Sequence, residues 1–258
     1  MSILKTILDR KRKEIEQARR SVPFERLKDR ARDAASTRPF LRALQSDGIG
    51  VIAEVKKASP SRGILVRDFD HVRLAKECER GGARALSVLT DQYFFKGEHR
   101  FIREIKQAVA LPVLRKDFVI DEYQVFESRD IGADAILLIV SALTPDRLRS
   151  LFESARSLGM AVLVETHTAV EVALANSIAA ELIGVNNRDL STFEVSLDRS
   201  LELRPLIRPG AIPVSESGIQ SSGDVRALRD AGFRAVLVGE SIITDMNPSD
   251  AIRRLTGS

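Results

Sequence analysis

The residues with the clearest potential for chemistry lie in the segment 51–63, where an apolar run carries Glu54 and Lys56. In a β-strand, residues two apart point to the same face, so this carboxylate and this ammonium share the face of Ile52. Charges on the buried side of a strand need partners, because an unpaired buried charge is costly. We therefore expect the strand to end at a polar pocket. The Ser, Pro and Gly residues that follow predict a loop able to hold an anion.

Polar residues also follow the later apolar runs. Lysines and carboxylates that converge in a partly dry pocket push each other's pKa values apart, which provides a proton donor and a proton acceptor near neutral pH. A desolvated Lys56 or Lys116 could also act as a Schiff-base nucleophile. Each residue alone is better explained as an ordinary polar residue at the point where the chain leaves a buried strand and becomes exposed to solvent. The hypothesis of an active site therefore depends on the occurrence of all these residues at the same end of the strands. These residues are Glu54, Lys56, Lys116, Asp117, Glu165, Asn186, Asn187, Arg188, Glu216, Ser217, Gly218, Gly239, Glu240 and Ser241.

Two short loops have the composition of a phosphate site. They are residues 216–219 and 239–241, after the seventh and eighth apolar runs. Small residues let backbone N–H groups approach a phosphate, and the dipole of the next helix favours an anion. Glu240 fits if it contributes its backbone N–H while its carboxylate faces solvent, and Ser59 and Arg188 could close the cradle from other sides. Gly239 by itself is equally well explained by an ordinary strand-to-helix turn.

The apolar runs predict the fold that positions these residues. Each run is short, rich in β-branched residues, and followed by a polar turn and an amphipathic helix. Eight such units favour an α/β fold, the (β/α)8 or TIM barrel, in which the carboxyl ends of the strands form one ring that carries the active site. An open doubly wound sheet is the alternative, although no glycine-rich nucleotide-binding motif occurs. The runs are 51–55, 85–89, 112–114, 135–140, 161–164, 182–185, 212–214 and 235–238.

The first part of the chain has a helical pattern instead. Apolar residues recur at helical spacing from residue 2 to about residue 46, with Ser2 as a candidate cap and breaks at Pro23 and Pro39. We expect residues 1–47 to form a helical extension packed on a barrel of residues 48–258, within one structural domain overall. The basic run from Arg10 to Lys13 is interpreted as a solvated helix face.

Composition excludes several classes of protein. The 258 residues are 44% hydrophobic, carry a net charge of +4, and contain no apolar run near the roughly 18 residues of a membrane span. No export signal and no concentrated basic stripe for nucleic acid is present. The lone Cys78 favours a reducing compartment, so we expect a cytoplasmic monomer or weak dimer. His71, His99 and His167 show no ligand spacing, and we expect neither a metal nor a cofactor.

Six segments together resemble one family, the indole-3-glycerol-phosphate synthases of tryptophan biosynthesis. The similarity extends from the N-terminal helices to the last strand, and other phosphate-binding barrels generally lack those helices. Any one segment could match by chance, but all six in this order could hardly do so. The segments are 53–63 (AEVKKASPSRG), 114–118 (LRKDF), 163–165 (LVE), 183–190 (IGVNNRDL), 215–219 (SESGI) and 236–241 (VLVGES).

The resemblance implies an activity without metal or organic cofactor. Family members convert 1-(2-carboxyphenylamino)-1-deoxyribulose 5-phosphate to indole-3-glycerol phosphate, with loss of carbon dioxide and water. By this resemblance, Lys116 is the general acid toward the substrate carbonyl, and Glu165 takes up or relays a proton during dehydration. Glu54 and Lys56 would hold the substrate and exchange protons with the leaving hydroxyl, in an order that the motif leaves open.

The resemblance also assigns the remaining site residues. Asn186 would orient a substrate hydroxyl, with Ser217 beside it. Arg115 departs from the usual apolar residue and should face outward toward a helix. Ser59, Arg188, Glu216, Gly218, Gly239, Glu240 and Ser241 are expected to bind the substrate and its phosphate, and Phe95, Phe118 and Leu137 to line the pocket for the aryl ring.

Two other functions stay open at this point. One is a different phosphosugar enzyme similar to phosphoribosylanthranilate isomerase, although that chemistry prefers a Cys or Asp pair where this chain has Glu54 and Lys56. The other is a non-catalytic protein that binds a phosphorylated ligand. In each case the partner is a phosphorylated small molecule, and neither nucleic acid nor membrane is expected to bind.

Overall fold

Eight parallel strands form a closed barrel in the computed structural model, which describes residues 3–60, 62–189, 192 and 194–257. Each strand pairs with the next one along the chain, and the first strand pairs with the last. This confirms the predicted barrel and excludes the open sheet. The candidate cap Ser2 lies outside the described residues. The strands are β1 (Gly50–Val55), β2 (Ala85–Leu89), β3 (Val113–Lys116), β4 (Ala135–Ile139), β5 (Ala161–Thr166), β6 (Leu182–Asn186), β7 (Ile212–Glu216) and β8 (Ala235–Val238).

Nearly every strand residue is buried, because the barrel strands have apolar surroundings on both faces. Alternate residues point into the barrel, where Ile52, Leu114, Leu137 and Leu163 pack together with small residues such as Ala85. The other residues point outward and pack against the surrounding helices. All eight apolar runs predicted from the sequence are therefore strands, and several extend one or two residues further toward the polar end.

Helices follow the strands and cover the outside of the barrel. Their caps agree with the sequence: Thr144 caps a helix with Pro145 in its first turn, and Ser221 forms a capping box with Asp224. The α-helices are α1 (Ile3–Ser21), α2 (Phe24–Asp33), α3 (Phe40–Leu44), α4 (His71–Arg80), α5 (Gln92–Phe95), α6 (Arg100–Ala108), α7 (Glu122–Asp130), α8 (Pro145–Ser157), α9 (Ala169–Ser177), α10 (Asp198–Leu203), α11 (Ser222–Asp230), α12 (Glu240–Ile243) and α13 (Pro248–Thr256).

The three N-terminal helices contact different parts of the barrel. Helix α2 begins directly after Pro23 and packs on α7, while the short α3 begins after Pro39. Phe40 and Leu44 of α3 join the interior cluster and close the end of the barrel at which the strands begin. The start of α1 lies at the opposite end, beside the polar residues that follow the strands.

The interpretation of the basic run 10–13 as a solvated face is wrong for one residue. Lys11 is only 5% exposed and lies on the apolar stripe of α1 between Ile7 and Ile15. Its ammonium is buried because acidic residues from the barrel receive it, as described below. Within the described residues, no helix is long and apolar enough to cross a membrane.

Candidate active site

A cavity of about 640 Å³ opens at the carboxyl ends of the barrel strands. Its volume is in the range of small-molecule sites. Residues far apart in the sequence meet here because every barrel strand contributes its last residues to the same rim. Of the candidate residues that follow the strands, Asn187 alone does not line the cavity. The predicted catalytic, substrate-binding and aryl-pocket residues all line it: Glu54, Lys56, Ser59, Phe95, Lys116, Phe118, Leu137, Glu165, Asn186, Arg188, Glu216, Ser217, Gly218, Gly239, Glu240 and Ser241.

Lys116 lies at the centre of the cavity floor, at the end of β3. Its Nζ is 2.9 Å from Glu165 Oε2 and 3.2 Å from Glu216 Oε2. Asn186 donates a hydrogen bond of 3.2 Å from Nδ2 to the other oxygen of Glu165. One ammonium is therefore shared by two carboxyl groups, both almost completely buried. Glu216 Oε1 has no hydrogen-bond partner among the described residues.

The protonation of this cluster follows from its charges. Burial alone would lower the pKa of Lys116, but the surrounding carboxylates of Glu165, Glu216 and Glu54 raise it well above its usual range. Burial would raise the pKa of Glu165, and the Lys116 ammonium lowers it to about 2. For Glu216, burial and the negative charge of Glu165 outweigh the opposite effect of the Lys116 ammonium and raise the pKa to about 7. The two carboxyl groups are thus pushed apart, as the sequence predicted.

A protonated Lys116 favours acid–base chemistry over the Schiff-base alternative. An ammonium has no lone pair for attack on a carbonyl carbon, but it is a hydrogen-bond donor that can polarise a carbonyl oxygen. Glu165, ionised at neutral pH, is a proton acceptor in the same cluster. The floor of the cavity therefore holds a donor and an acceptor 2.9 Å apart.

Glu54 and Lys56 form a second ion pair at the end of β1, with 2.5 Å between Oε1 and Nζ. They point the same way, as residues two apart in a strand should. Gly239, opposite them, has to be a glycine, because a Cβ there would lie 2.6 Å from Glu54 Oε1. Gly184 makes room in the same way for Glu216, whose Oε1 would be 2.1 Å from a Cβ. Two missing side chains thus create the space for two carboxylates.

The loops after β7 and β8 form one side of the cavity mouth. Ser217 and Gly218 both have a positive φ, 66° and 82°, which is unusual for a serine. Buried Asn187 donates from Nδ2 to the carbonyl of Ser217 at 3.0 Å and supports this turn. Ser241 donates a 3.2 Å hydrogen bond to the carbonyl of Ile219, which ties the two loops together.

The expectation that the Glu240 carboxylate simply faces solvent needs correction. Glu240 is partly exposed, but its Oε1 pairs with Arg62 Nη1 at 2.5 Å. Because Arg62 belongs to the loop after β1, this contact links that loop to the start of α12. Arg188, at the end of β6, donates its backbone N–H to Asn186 Oδ1 at 3.0 Å.

The opposite wall of the cavity is apolar. The rings of Phe95 and Phe118 lie 6.2 Å apart between centroids, and Leu137 comes from the barrel interior. Ile3, Leu4 and Ile7 of α1 extend this wall toward solvent. The cavity therefore offers an aromatic and aliphatic surface on one side, backbone turns on the other, and a charged floor between them.

The comparisons with known proteins agree with this geometry. A family model described as indole-3-glycerol phosphate synthase matches residues 4–255. The chain belongs to this family. It is 52% identical over 244 residues to the indole-3-glycerol phosphate synthase of Chlorobium phaeovibrioides, covering 94% of this chain and 95% of that one. It is 48% identical over 257 residues to the indole-3-glycerol phosphate synthase of Geobacillus thermodenitrificans, covering 99% of this chain and 97% of that one.

Solved structures show the same fold at low identity. A 3-hexulose-6-phosphate synthase superposes with a TM-score of 0.66 at 14% identity, covering 81% of this chain and 99% of that chain. An orotidine 5'-phosphate decarboxylase from Pyrococcus horikoshii superposes with a TM-score of 0.63, also at 14% identity, covering 80% and 97%. These likenesses support the barrel architecture of this member of the synthase family.

Arg115 has the partners that sequence reasoning could not supply. It faces outward from β3, as predicted, but it is 1% exposed and makes ion pairs of 3.0 Å to Asp117 and 2.9 Å to Glu127. Its Nε also donates to Thr90 at 3.1 Å. Arg115 and Asp117 flank Lys116 in the sequence, so this network fixes the strand end that carries the central lysine of the synthase-family site.

Lys11 joins the same network from α1. Its Nζ is 3.0 Å from both Asp91 Oδ2 and Asp117 Oδ1. The pKa of Asp117 is held well below its usual range: burial alone would raise it, but Lys11 and Arg115 lower it. The signal for Lys11 was present in the sequence, since a lysine on the apolar stripe of a helix implies a buried partner. Glu14, one turn further along α1, pairs with Lys11 at 2.8 Å and can be read from the sequence, but Asp91 and Asp117 cannot, because they lie on other elements.

Proposed function

We propose that this chain is a carboxy-lyase that closes the indole ring of 1-(2-carboxyphenylamino)-1-deoxyribulose 5-phosphate and releases carbon dioxide and water. The observation that carries the proposal is the Lys116–Glu165–Glu216 cluster, which lies on the floor of one cavity between an apolar wall and the loops after β7 and β8. Family membership over residues 4–255 supports the same activity.

Ring closure needs an electrophilic carbonyl held against an aryl ring. We assign Phe95, Phe118 and Leu137 to the aryl ring and the Lys116 ammonium to the carbonyl oxygen. As the ring carbon bonds to the carbonyl carbon, the oxygen gains negative charge and takes a proton from Lys116. The raised pKa of Lys116 ensures that this proton is present in the free enzyme at neutral pH.

The later steps use the remaining acids and bases. Loss of carbon dioxide returns an electron pair to the ring and restores its aromaticity, so this step requires no separate electron acceptor. In dehydration, the new hydroxyl leaves as water and the neighbouring carbon loses a proton. We assign the Glu54–Lys56 pair to the leaving hydroxyl and Glu165 to the uptake or relay of the proton, with Asn186 and Ser217 orienting substrate hydroxyls.

The phosphate would bind at the loops after β7 and β8. Gly218 and Gly239 permit close approach of backbone N–H groups there, and Arg188 lines the same cavity. Ser59, Glu216, Glu240 and Ser241 complete the proposed substrate contacts, with Glu240 acting through its backbone N–H. We further propose a cytoplasmic monomer or weak dimer, a location supported by the single, buried Cys78.

The decisive experiment is a product assay. Purified protein is mixed with the anthranilate-linked deoxyribulose phosphate, and the fluorescence of the indole product is followed over time. Product formation is the expected result. Binding of the substrate without product would instead support the non-catalytic alternative, and turnover of phosphoribosylanthranilate would support the isomerase. The match to the synthase family over nearly the full chain favours neither alternative.

A further inference from the structure

His167 lies directly behind Glu165, outside the cavity lining. Its Nε2 is 3.5 Å from Glu165 Oε1, and its Nδ1 is 3.4 Å from Glu171 Oε2. The side chain is half-buried with both ring nitrogens shielded from solvent, and neither nitrogen makes a hydrogen bond in the described part of the chain, to these two carboxylates or to any other group. The polar surroundings of this ring are therefore two carboxylates, one on each side.

This arrangement determines the charge of the ring. Both contacts are at ion-pair distance and not hydrogen bonds, so the carboxylates act on the ring through their charge. Two negative charges within 3.5 Å of the ring nitrogens favour the positively charged imidazolium over the neutral imidazole. The charged form is favoured further by Glu216, the third carboxyl group that acts on the ring. Burial alone would lower the pKa of His167, and Glu171, Glu165 and Glu216 together raise it.

Glu171 is itself held in place at the start of α9. Its carboxylate accepts a 2.6 Å hydrogen bond from the backbone N–H of His167, and its own N–H donates to Thr168 Oγ1 at 3.3 Å. This is the reciprocal pattern of a helix N-terminus in which side chains satisfy free backbone donors. A fixed Glu171 in turn fixes the imidazole against Glu165.

We propose that His167 is a positioning residue of the ring-closing reaction: its imidazolium, held by Glu171, orients Glu165 and keeps that carboxyl ionised. The inference rests on the proposed function, because Glu165 has to be a carboxylate to accept a proton during dehydration. His167 acts through Glu165 and touches no substrate. Lys116 and Asn186 hold the same carboxylate from the cavity side.

The first test is the pH dependence of turnover in His167→Gln. Glutamine is polar but carries no charge, so both coupled carboxyl groups, Glu165 and Glu216, become harder to ionise. We expect the acid limb of the kcat/KM profile to move to higher pH by about one unit, which is roughly a tenfold loss of rate on that limb. Glu171→Gln, which loosens the imidazole from its outer side, should move the limb in the same direction by less.

His71→Gln is the matched control. His71 is also a half-buried histidine paired with a carboxylate, Glu104, at 2.5 Å, but it lies on α4 outside the cavity. Its substitution should leave the pH profile in place. A folded His167→Gln with the acid limb of the wild type overturns the proposal, as does an equal shift in His71→Gln.

A second measurement does not depend on turnover. With His71→Gln and His99→Gln assigning the other two imidazoles, NMR titration of the wild type identifies His167, which we expect to titrate above the roughly 6.5 of a free histidine. Titration of His167 below that value overturns the proposal even if His167→Gln fails to fold. If the wild type forms no indole product, the proposed function fails, and the NMR result still decides whether the bridging imidazolium exists.

Discussion

Two clusters of charged side chains meet at strand β3, one on each of its faces. The inner cluster consists of Lys56 and Lys116 with Glu54, Glu165 and Glu216. The outer network consists of Lys11 and Arg115 with Asp91, Asp117 and Glu127. Lys116 belongs to the first and its neighbours Arg115 and Asp117 to the second. The clusters differ in how completely their polar atoms are satisfied.

In the outer network the polar groups have strong partners. Both oxygens of Asp117 accept hydrogen bonds or ion pairs, and its pKa is lowered despite burial. In the inner cluster one oxygen of Glu216 has no hydrogen bond in the described chain, and the pKa of that carboxyl is raised to about 7. Asp91 Oδ2 of the outer network makes no hydrogen bond to a described residue either, but it lies 3.0 Å from Lys11 Nζ. Pairing with a cation stabilises a fold, whereas an oxygen without a partner retains the capacity to bind or exchange protons with a substrate.

Lys116→Met removes the inner cation and should have the largest effect on activity. We expect kcat to fall by roughly 10²–10⁴-fold, the usual contribution of a general acid. The free energy of unfolding should also fall, because buried Glu165 loses its cation, but by less than for the outer network, because Glu216 already tends toward its neutral form. Steady-state fluorescence kinetics together with urea denaturation check both parts, and near-wild-type turnover would remove Lys116 from the mechanism.

Arg115→Met makes the same substitution one residue earlier, on the outer face. It leaves buried Asp117 and Glu127 without their shared cation, and we expect a loss of about 3–5 kcal/mol in the free energy of unfolding. Urea denaturation measures this loss, and the fraction that remains folded should turn over far faster than Lys116→Met. If Arg115→Met were as stable as the wild type, the outer network would not stabilise the fold, contrary to our interpretation.

Glu216→Gln tests the unsatisfied carboxyl directly. Because the folded-state pKa is raised, the stability contributed by its proton is present below the ordinary glutamate value and is lost as the pH rises through about 7. A neutral glutamine avoids that loss, so the variant should exceed the wild type in stability by on the order of 2 kcal/mol at pH 8 and by little at pH 4. Thermal melts at the two pH values measure the difference, and a variant less stable at pH 8 contradicts the assignment.

Arg188→Ala addresses the cavity mouth, where the smallest effect is expected. If Arg188 helps to bind the substrate phosphate, its loss weakens ground-state and transition-state binding alike and raises KM by about tenfold with kcat nearly unchanged. Initial-rate kinetics over a range of substrate concentrations separate the two parameters. A fall confined to kcat would instead place Arg188 at the reacting atoms.

The inner cluster could be predicted from the sequence, but the outer network could not. The eight strands follow from local apolar runs, and closure of the barrel then brings Glu54, Lys116 and Glu165 to one rim without any knowledge of their contacts. The sequence also shows that Arg115 faces outward. Its partners beyond Asp117 come from the loop after β2, from α7 and from the loop before α6, and the packing of those elements decides which of their side chains meet it.

Lys11 and His167 show two different reasons why residues were missed. Lys11 occupies an apolar position of α1, but its neighbours in the sequence are basic, and their charge pattern favoured a solvated face. His167 shows no metal-ligand spacing in the sequence, and metal binding is the role that isolated histidines most readily suggest. The sequence does place His167 two residues after Glu165 and four residues before Glu171, a spacing that allows contact with both carboxylates.

Phe40 and Leu44 seal the barrel at the end where its strands begin. In the described part of the chain, substrate entry and product release therefore use the same opening, the cavity mouth at the carboxyl ends of the strands. The product should consequently compete with the next substrate molecule for this opening, so that product inhibition should be competitive with respect to the substrate.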